Sequence, residues 1–301
     1  MQFTRKSKAA FTSILSNTLL ILLKLVAGII TGSISLIAEA IHSLMDLAAA
    51  IIAFISVRIA DRPADRQHPF GHGKVENISG VVEGILIFVA AGIIIEEAIR
   101  RLINGETLEL LEVGIGIMAV SIVANIIVSR YLLKVSRETD SVALEADARH
   151  LTTDVLTMTG VLLGLIVVRI TGLNILDPII AILVALLIIK AAYDIIKKSF
   201  GGLIDIKLPE SEEKAIISRI EEHPAKVVGY HKLRTRRAGA QRFIDLHVIM
   251  RKNADISEAH DFCHHLQQDI QSSLKNASVT IHIEPCAEEC EDCTVECNLR
   301  K

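Results

Sequence analysis

The sequence predicts an α-helical membrane protein with six transmembrane helices, followed by a C-terminal cytoplasmic α+β domain. Of the 301 residues, 51% are hydrophobic and the mean hydropathy is positive, which is too apolar for an ordinary soluble domain. Six apolar stretches are long enough to cross a hydrocarbon core, which takes about 20 helical residues. From about Gly201 onward the composition becomes charged and polar, which indicates a second, water-soluble domain.

The predicted domain order follows from these changes in composition. We expect a transmembrane domain over 1–202, a soluble domain over 203–285 and a cysteine-rich tail over 286–301. The first apolar stretch lacks the small-residue cleavage pattern of a signal peptide, so we interpret it as a retained span. The six stretches cover approximately 11–30, 34–59, 78–99, 110–133, 142–170 and 178–196.

Basic residues are distributed unevenly among the predicted connections. The N-terminus and every second connection are rich in Lys and Arg, as in the run from Arg58 to Lys74, whereas Arg100–Glu109 carries balanced charge. The positive-inside rule therefore predicts a multi-pass protein of the inner or plasma membrane with both termini in the cytoplasm. Because the basic residues form no concentrated patch, no nucleic-acid partner is predicted.

Two segments of the membrane domain repeat one motif, a His and an Asp four residues apart. His42 and Asp46 lie in the second stretch, and His150 and Asp154 lie in the fifth. Residues four apart share one face of a helix, so each pair can direct two ligand atoms at one point. With the predicted topology both pairs lie near the middle of the bilayer, where ionisable groups are costly and are usually functional. The alternative, a satisfied polar contact between packed helices, would have to occur twice with matched spacing.

Three further ionisable residues lie within the predicted spans. Glu39 and Asp147 each precede a motif His by three residues, on the same helical face. They could support the ligands through hydrogen bonds, carry protons, or only pack as polar groups. Lys24 lies within the first span, and the sequence shows no partner for it.

The chemistry of the donor set points to a transport site for a divalent transition metal. Two imidazoles and two carboxylates suit tetrahedral Zn²⁺, whereas Mg²⁺ and Ca²⁺ favour oxygen ligands. The segments carry no recognisable enzyme machinery, so no catalytic activity is predicted. A second cluster, Asp65, His68 and His72, lies in the loop after the second stretch. Its spacing suits one ion, although histidines in loops often only face solvent.

The soluble domain is predicted to contain five elements in the order αββαβ. Strand 241–251 alternates apolar and polar residues, and the second helix is expected to begin after Ser257 as its N-cap. This order favours a small α+β layer of the ferredoxin-like or metallochaperone-like type. The predicted elements are helix 209–222, strands 226–236 and 241–251 around a turn at Ala238-Gly239, helix 257–274 and strand 278–284.

The five cysteines all lie in the part that the topology places in the cytoplasm. Cys263 is predicted to be helical, and the other four lie at the chain end, at Cys286, Cys290, Cys293 and Cys297. Structural disulfides are therefore not expected. Four closely spaced thiols could hold Zn²⁺ or a softer ion, or the tail could be a flexible, reduced segment.

These features together resemble the cation diffusion facilitator family. The resemblance rests on the paired His-x-x-x-Asp motifs, the run His-Pro-Phe-Gly-His-Gly-Lys from His68 to Lys74, the six spans and the αββαβ domain, and it covers nearly the whole chain. It implies a homodimeric metal/proton antiporter that moves divalent transition metal out of the cytoplasm, and not an enzyme.

The resemblance also implies specific metal sites in the membrane domain. Carried over by motif, the transport site comprises His42, Asp46, His150 and Asp154, and the loop site comprises Asp65, His68 and His72. Bacterial members of the family often have Asp where this chain has His42. That departure resembles the zinc-selective members and disfavours manganese or iron.

In the soluble domain the family places a metal site at the dimer interface. The matching residues are His231, His247, His260, His282 and Glu284. Glu284 replaces an Asp that is common in the family, so the reach of this carboxylate differs. The neighbouring His264 and His265 match nothing and are interpreted as solvated helix residues. Lys74 and Asp205 match a charge pair that in the family ties the two domains together.

The sequence therefore predicts a proton-coupled zinc exporter that works by alternating access around one site. Similar donors would also bind Fe²⁺, Cd²⁺ or Co²⁺, so an exporter of those ions is the first alternative. A membrane-anchored metal sensor, with the His- and Cys-rich tail as its detector, is an alternative of a different class. The ligands at mid-membrane disfavour the sensor, because an anchor does not need them.

Overall fold

The chain folds into two compact units, Met1–Phe200 and Gly201–Lys301, in a computed structural model. The structure describes residues 4–31, 34–104, 112–173, 175–224, 226–252 and 254–286. Within the helices, the side chains of 31, 34–39, 41, 42, 45, 104, 112–114, 164, 165, 168, 169 and 177 lie outside the described part.

Six long helices make up the first unit. Apolar residues dominate each of them, and their backbone polar groups are satisfied within the helix, as a bilayer requires. At 1.5 Å per residue, the 27 residues of α2 extend for about 40 Å and the 30 residues of α5 for about 45 Å, enough to cross a membrane. The helices are α1 (Arg5–Thr31), α2 (Ile34–Ala60), α3 (Lys74–Asn104), α4 (Glu112–Thr139), α5 (Val142–Thr171) and α6 (Leu176–Leu203).

Four of these helices are apolar enough, over their described residues, to be recognised as membrane spans on length and composition alone. They are α1, α3, α4 and α6. The prediction of a helical membrane domain is confirmed. The count of six spans stays a prediction, since α2 and α5 carry the ionisable motifs and include side chains outside the described part.

The outer surface of the helix bundle is apolar. Large aliphatic side chains on α1, α4 and α6 are exposed, among them Leu19, Ile127 and Leu187, whose exposed fractions are 58–63%. Such a surface would favour aggregation in water and is matched by lipid acyl chains. Small and polar residues, by contrast, lie in the interior.

Glu76, near the start of α3, joins several helix ends on one side of the bundle. Its carboxylate accepts hydrogen bonds from Lys6 Nζ of α1 at 3.0 Å, and from Ser141 Oγ and the Val142 N–H at the start of α5, both at 2.7 Å. Lys6 also lies 3.3 Å from Asp61 at the end of α2. A negative charge is favourable at a helix N-terminus, so Glu76 serves as a cap for α5 supplied by α3.

Helix α6 packs very closely on two neighbours because they carry glycines at the contact. A Cβ atom at Gly160 of α5 would lie 2.7 Å from Val184 Cγ2, and one at Gly84 of α3 would lie 2.5 Å from Ile196 Cγ1. Any larger residue at either position would push the helices apart. Small residues at helix contacts in membranes generally allow such close packing. The position of α5 within the bundle, and with it the second motif, depends on these contacts.

The second unit is an α+β layer, as predicted. Its order is αββαβ, and its sheet has the order β1-β2-β3, with β1 and β2 antiparallel and β2 and β3 parallel. The parallel pair requires a crossover, which α8 provides. The elements are α7 (Glu210–Glu221), β1 (Val227–Ala238), β2 (Gln241–Met250), α8 (Ile256–Ser273) and β3 (Ala277–Pro285).

The core of this unit lies between the two helices and one face of the sheet. Alternate residues of β2, namely Ile244, Leu246 and Val248, are fully buried and pack with Phe262 and Leu266 of α8. Burial of each such side chain contributes about 1.5–3 kcal/mol. Because strand side chains alternate, the intervening residues of β2 face away from the helices.

Two local predictions in this unit are wrong by one or two residues. The N-cap of α8 is Asp255 rather than Ser257: Asp255 Oδ1 accepts a hydrogen bond from the Glu258 N–H at 2.7 Å. Asp is as good an N-cap as Ser and lies earlier in the chain, so the helix begins at Ile256. The hairpin pairs Ala238 with Gln241, so its turn is Gly239-Ala240, with Gly239 at a φ of +57°.

Candidate metal centre

Asp46 of α2 and His150 and Asp154 of α5 meet where these two helices pack together. His150 Nε2 lies 3.2 Å from Asp46 Oδ1, and one ligand atom from each of the three residues lies within 4.8 Å of the other two. His150 and Asp154 are four residues apart and therefore share the helix face that meets α2. The side chains of His150 and Asp46 are only 8% and 17% exposed. The three groups can bind one cation with mixed nitrogen and oxygen ligands.

The fourth predicted ligand, His42, lies on α2 one helical turn before Asp46. Its side chain is outside the described residues, and so is that of Glu39. The participation of His42 in this site therefore stays a prediction.

A cavity of about 220 Å³ lies beside the three groups. Asp46 and Asp154 line it together with polar residues of α1 and α4, among them Asn17 and Asn125. A water molecule occupies about 30 Å³ in the liquid, so the cavity can hold an ion with part of its hydration shell. An ion bound by the carboxylates could therefore exchange water for protein ligands within the helix bundle.

Lys24 lies in the same cavity, and the structure shows a neighbour that the sequence did not reveal. Its Nζ donates a hydrogen bond of 2.7 Å to Ser43 Oγ of α2, and both residues are 5% exposed. Lys24 also lines the cavity that contains Asp46 and Asp154. The amino group of Lys24 therefore shares this cavity with the two carboxylates.

Two further carboxylates are buried close to His150. Glu83 of α3 is fully buried and Asp147 of α5 is 1% exposed, and both interact electrostatically with His150. Ser79 Oγ donates to Glu83 Oε1 at 3.2 Å, and Glu83 Oε2 has no hydrogen-bond partner among the residues that the structure describes, whereas Ser13 lies close enough to interact with Asp147. Buried carboxylates in such a setting are costly, which favours a functional role over a packing role for both residues. Glu83 was not among the predicted functional residues. An acidic residue inside an apolar stretch would have been enough to indicate it.

The loop between α2 and α3 brings Asp65, His68 and His72 together. Asp65 Oδ1 accepts hydrogen bonds from the backbone N–H groups of Gln67 and His68 at 2.9 and 2.7 Å. His68 Nδ1 lies 3.2 Å from Asp65 Oδ1, and His72 Nε2 lies 3.3 Å from Asp65 Oδ2. The backbone hydrogen bond from His68 lowers the pKa of Asp65, so this carboxylate is ionised and available to a cation.

Histidines from three neighbouring strands form a row on the sheet of the second unit. His231 pairs with His247 across β1 and β2, and His247 pairs with His282 across β2 and β3. Glu284 Oε1 lies 2.6 Å from His247 Nδ1, and Glu284 Oε2 lies 3.0 Å from His231 Nε2. The hydrogen bond from His247 is the main cause that lowers the pKa of Glu284. His231, His247 and Glu284 can therefore bind one ion.

The two other predicted ligands of this site lie at its margin. His282 Nε2 is 3.8 Å from Glu284 Oε1, and its side chain is 64% exposed. His260 lies on α8 and lines a cleft of about 480 Å³ whose opposite wall includes Glu284. Neither belongs to the compact group of His231, His247 and Glu284.

The structure also forms a group that the sequence analysis did not predict. His265 was interpreted as a solvated residue, yet it lies with His223 and Asp269 in an arrangement that could hold a metal. His265 and Asp269 are four residues apart on α8, the same spacing as in the membrane motifs. That spacing is the feature of the sequence from which the pair could have been predicted. The adjacent His264 instead accepts a hydrogen bond from Gln268.

The remaining predictions concern the chain end and a contact between the units. Cys290, Cys293 and Cys297 lie outside the described residues, so the fate of the thiol cluster stays a prediction. Cys286 is buried, and its N–H donates to the Met250 carbonyl at 2.8 Å. The predicted pair of Lys74 and Asp205 would join the two units and also stays a prediction.

Comparison with known families decides the classification of the chain. Residues 10–204 match the cation efflux transmembrane domain, and residues 208–286 match the cytoplasmic domain of cation efflux proteins. The chain belongs to the cation efflux family, also called the cation diffusion facilitators. The resemblance seen in the sequence is thereby confirmed, and the chain is a membrane transporter of this family rather than an enzyme.

Individual relatives cover most of this cation efflux protein. The uncharacterized transporter sll1263 of Synechocystis is 36% identical over 87% of this chain and 85% of its own length. The cation-efflux pump FieF of Cronobacter sakazakii is 33% identical over 93% of both chains. The solved structure of CzrB, a protein proposed as a zinc transporter, is 31% identical over 27% of this chain and 99% of its own, with a TM-score of 0.26. At that TM-score the likeness adds nothing to the family assignment.

Proposed function

We propose that this cation efflux protein exports divalent transition metal, principally Zn²⁺, from the cytoplasm in exchange for protons. The observation that supports the proposal is the group of Asp46, His150 and Asp154 between two long helices of the membrane unit. Ionisable groups within a bilayer are costly and usually mark the path of an ion, so we infer that these ligands bind an ion during its passage.

The donor types support zinc as the principal substrate. The described group offers one imidazole and two carboxylates, and His42 is proposed as the second imidazole. Mixed nitrogen and oxygen ligands suit Zn²⁺ and disfavour Mg²⁺ and Ca²⁺. Fe²⁺, Cd²⁺ and Co²⁺ are the competitors that such a site would also accept, so the flux ratio among these ions tests this part of the proposal.

Coupling to protons follows from the same ligands. Imidazole must be neutral and a carboxylate ionised before either can bind a metal, so metal binding expels protons and protonation expels metal. Glu83 and Asp147 lie near enough to His150 to interact with it electrostatically, and we propose them as the groups that exchange protons with the site. Alternating access then exposes a metal-loaded site on one side of the membrane and a protonated site on the other.

The proposed topology has six spans and both termini in the cytoplasm, with domains over 1–202, 203–285 and 286–301. The contacts of Glu76 support it, since they bring together the start of α1, the start of α3 and the start of α5. If successive helices alternate in direction, the starts of the first, third and fifth helices all lie at the same face of the bundle. The Lys and Arg residues of these connections support a cytoplasmic location for that face.

We further propose that the protein is a homodimer through its second unit. His260 lies outside the group formed by His231, His247 and Glu284 of its own chain. A second copy would let His260 complete the metal site of its partner. The bound metal would then be part of the dimer contact, as the family resemblance implies.

Zinc flux in proteoliposomes tests the proposed function. Purified protein is reconstituted with a zinc-sensitive dye inside the vesicles, and Zn²⁺ is added outside with and without an outward-directed proton gradient. We expect zinc uptake that requires the protein and rises with the proton gradient. Absence of zinc flux would favour the membrane-anchored sensor. A zinc flux that is the same with and without the proton gradient would contradict the proposed coupling to protons.

A further inference from the structure

The second unit contains a group of metal-binding side chains that belongs to neither of the sites discussed so far. His223 follows the end of α7, whereas His265 and Asp269 lie on α8. His223 Nε2 lies 2.9 Å from Asp269 Oδ2, and His265 Nε2 lies 3.4 Å from the same oxygen. The two histidine rings are 5.3 Å apart, so both imidazoles approach one side of the carboxylate.

These separations match the requirements of a tetrahedral ion. With zinc–ligand distances of about 2.0–2.1 Å, tetrahedral geometry places neighbouring ligand atoms about 3.4 Å apart. One ligand atom from each of the three residues lies within 4.8 Å of the other two, so small side-chain rotations suffice to surround an ion. Two imidazoles and one carboxylate are also a ligand set that binds zinc with a fourth position open to water.

The position of His223 is fixed by its surroundings rather than by the ion. Its backbone carbonyl accepts hydrogen bonds from the N–H groups of Lys226 and Val227 at 3.1 and 3.0 Å. Its ring contacts the buried ring of Phe262 edge to face, with 5.6 Å between the ring centroids. A ligand held in this way loses little conformational entropy when it binds metal.

The group lies on a different side of the sheet from His247. Phe262 and Leu266 of α8 pack against the buried residues of β2, and His247 is one of the alternate residues that face away from them. His223, in contact with Phe262, is therefore on the helical side. Metal bound here is separate from metal bound by His231, His247 and Glu284.

We propose that His223, His265 and Asp269 form a further divalent-metal site of the zinc type, with one position open to solvent. When occupied, it ties the end of α7 to α8. A hydrogen-bonded His–Asp–His triad without metal is the competing explanation. Within that triad His265 adds little to the stability of the fold, because its side chain is 60% exposed and exposed ion pairs are weak.

Counting bound zinc in the full-length protein tests the proposal. Protein in detergent is stripped with a chelator and dialysed against buffered Zn²⁺, and bound metal is measured per chain by elemental analysis. We expect His265→Gln and Asp269→Asn each to bind about one Zn²⁺ fewer than the parent. His264→Gln is the matched control, since it removes a neighbouring exposed imidazole of α8 that is not in the group, and it should bind the parental number.

A thermal measurement separates the two explanations. Saturating Zn²⁺ should raise the unfolding temperature of the parent and of His264→Gln by more than it raises that of His265→Gln. An unchanged zinc count in both His265→Gln and Asp269→Asn would overturn the proposal and leave the metal-free triad. If Asp269→Asn fails to fold, His265→Gln still decides, because its ring is mostly exposed. The zinc count does not depend on transport, so this result and the failure of the proposed function can be told apart.

Discussion

His150 Nε2 lies 3.2 Å from Asp46 Oδ1, although 104 residues separate the two in the chain. The contact joins α5 to α2 inside the membrane unit, where a polar contact of this kind is expensive to bury unless both partners are present. Asp154 completes the group from the next turn of α5. A metal ion bound between the two side chains would join the same two helices, so we expect metal occupancy and helix packing to be linked at this point.

The first prediction concerns Glu76, whose carboxylate is 1% exposed and accepts hydrogen bonds from two other helices. Glu76→Ala leaves Lys6 and the start of α5 without this partner, and we expect it to destabilise the protein by about 3–5 kcal/mol. The thermal unfolding midpoint in detergent measures the effect. Glu96→Ala, which removes an exposed carboxylate from an i,i+4 pair on the same helix, should change stability by less than about 0.5 kcal/mol. Equal midpoints for the two variants would contradict this role of Glu76.

Much of the candidate site could be predicted because it depends on local geometry. The i,i+4 spacing of His150 and Asp154 fixes their common face, and the alternation of β2 fixes which side of the sheet carries His247. The N-cap at Asp255 was missed because two good capping residues, Asp255 and Ser257, lie two positions apart. Both residue types are good N-caps, so the local pattern alone does not decide between them.

Other features depend on contacts that no local pattern encodes. Glu83 reaches the surroundings of His150 only because α3 packs against α5, and His223 meets Asp269 only because α7 packs against α8. Lys24 finds Ser43 through the packing of α1 on α2. Each pair is far apart in sequence, so its distance is decided by the tertiary arrangement.

The second prediction is a pH dependence of zinc binding at the group of His231, His247 and Glu284. The hydrogen bond from His247 lowers the pKa of Glu284, so its carboxylate stays ionised from pH 8 to pH 6. Imidazoles must lose their proton to bind metal, and histidine ordinarily titrates near pH 6.5. Zinc affinity should therefore fall as the pH is lowered from about 8 to about 6, with the loss set by the imidazoles.

Chelator competition measures this affinity in a background where Asp46, Asp65 and Asp269 are replaced by alanine. Glu284→Gln should weaken binding at every pH and leave the pH slope unchanged, because the carboxylate does not titrate in this range. A slope that disappears in Glu284→Gln would show that the carboxylate, and not the imidazoles, exchanges the proton.

The third prediction concerns the cysteine-rich tail. Deletion of residues 287–301 should leave stability and zinc flux within about twofold of the parent, since chain ends beyond the last strand of a domain commonly tolerate removal. A cut one residue earlier should cost about 1 kcal/mol, because it also removes the buried Cys286, whose N–H donates to the Met250 carbonyl. Thermal unfolding and zinc flux are measured for both truncated proteins, and the difference between them gives the contribution of Cys286. Loss of flux in the shorter deletion would mean that the tail takes part in transport.

The fourth prediction concerns metal selectivity. His42→Asp exchanges an imidazole for a carboxylate, which hardens the donor set, so Mn²⁺ and Fe²⁺ should be transported better relative to Zn²⁺. The ratio of initial fluxes in proteoliposomes is the observable. Leu44→Val, on an exposed part of the same helix, should keep the parental ratio. A ratio that is the same in all three proteins would show that geometry, and not ligand type, sets the preference.

Zinc uptake by Asp46→Ala and Asp154→Ala proteins tests the central claim most directly. Each variant removes one carboxylate from the group that also contains His150, and Asp194→Asn on α6 removes a carboxylate that is not part of that group. Loss of groups that merely support a metal ligand costs about 10–100-fold, so loss of a ligand itself should lower flux by at least that much. We predict folded protein with no measurable zinc flux for the first two variants and parental flux for Asp194→Asn. Near-parental flux in both Asp46→Ala and Asp154→Ala would contradict the claim that zinc crosses the membrane through this site.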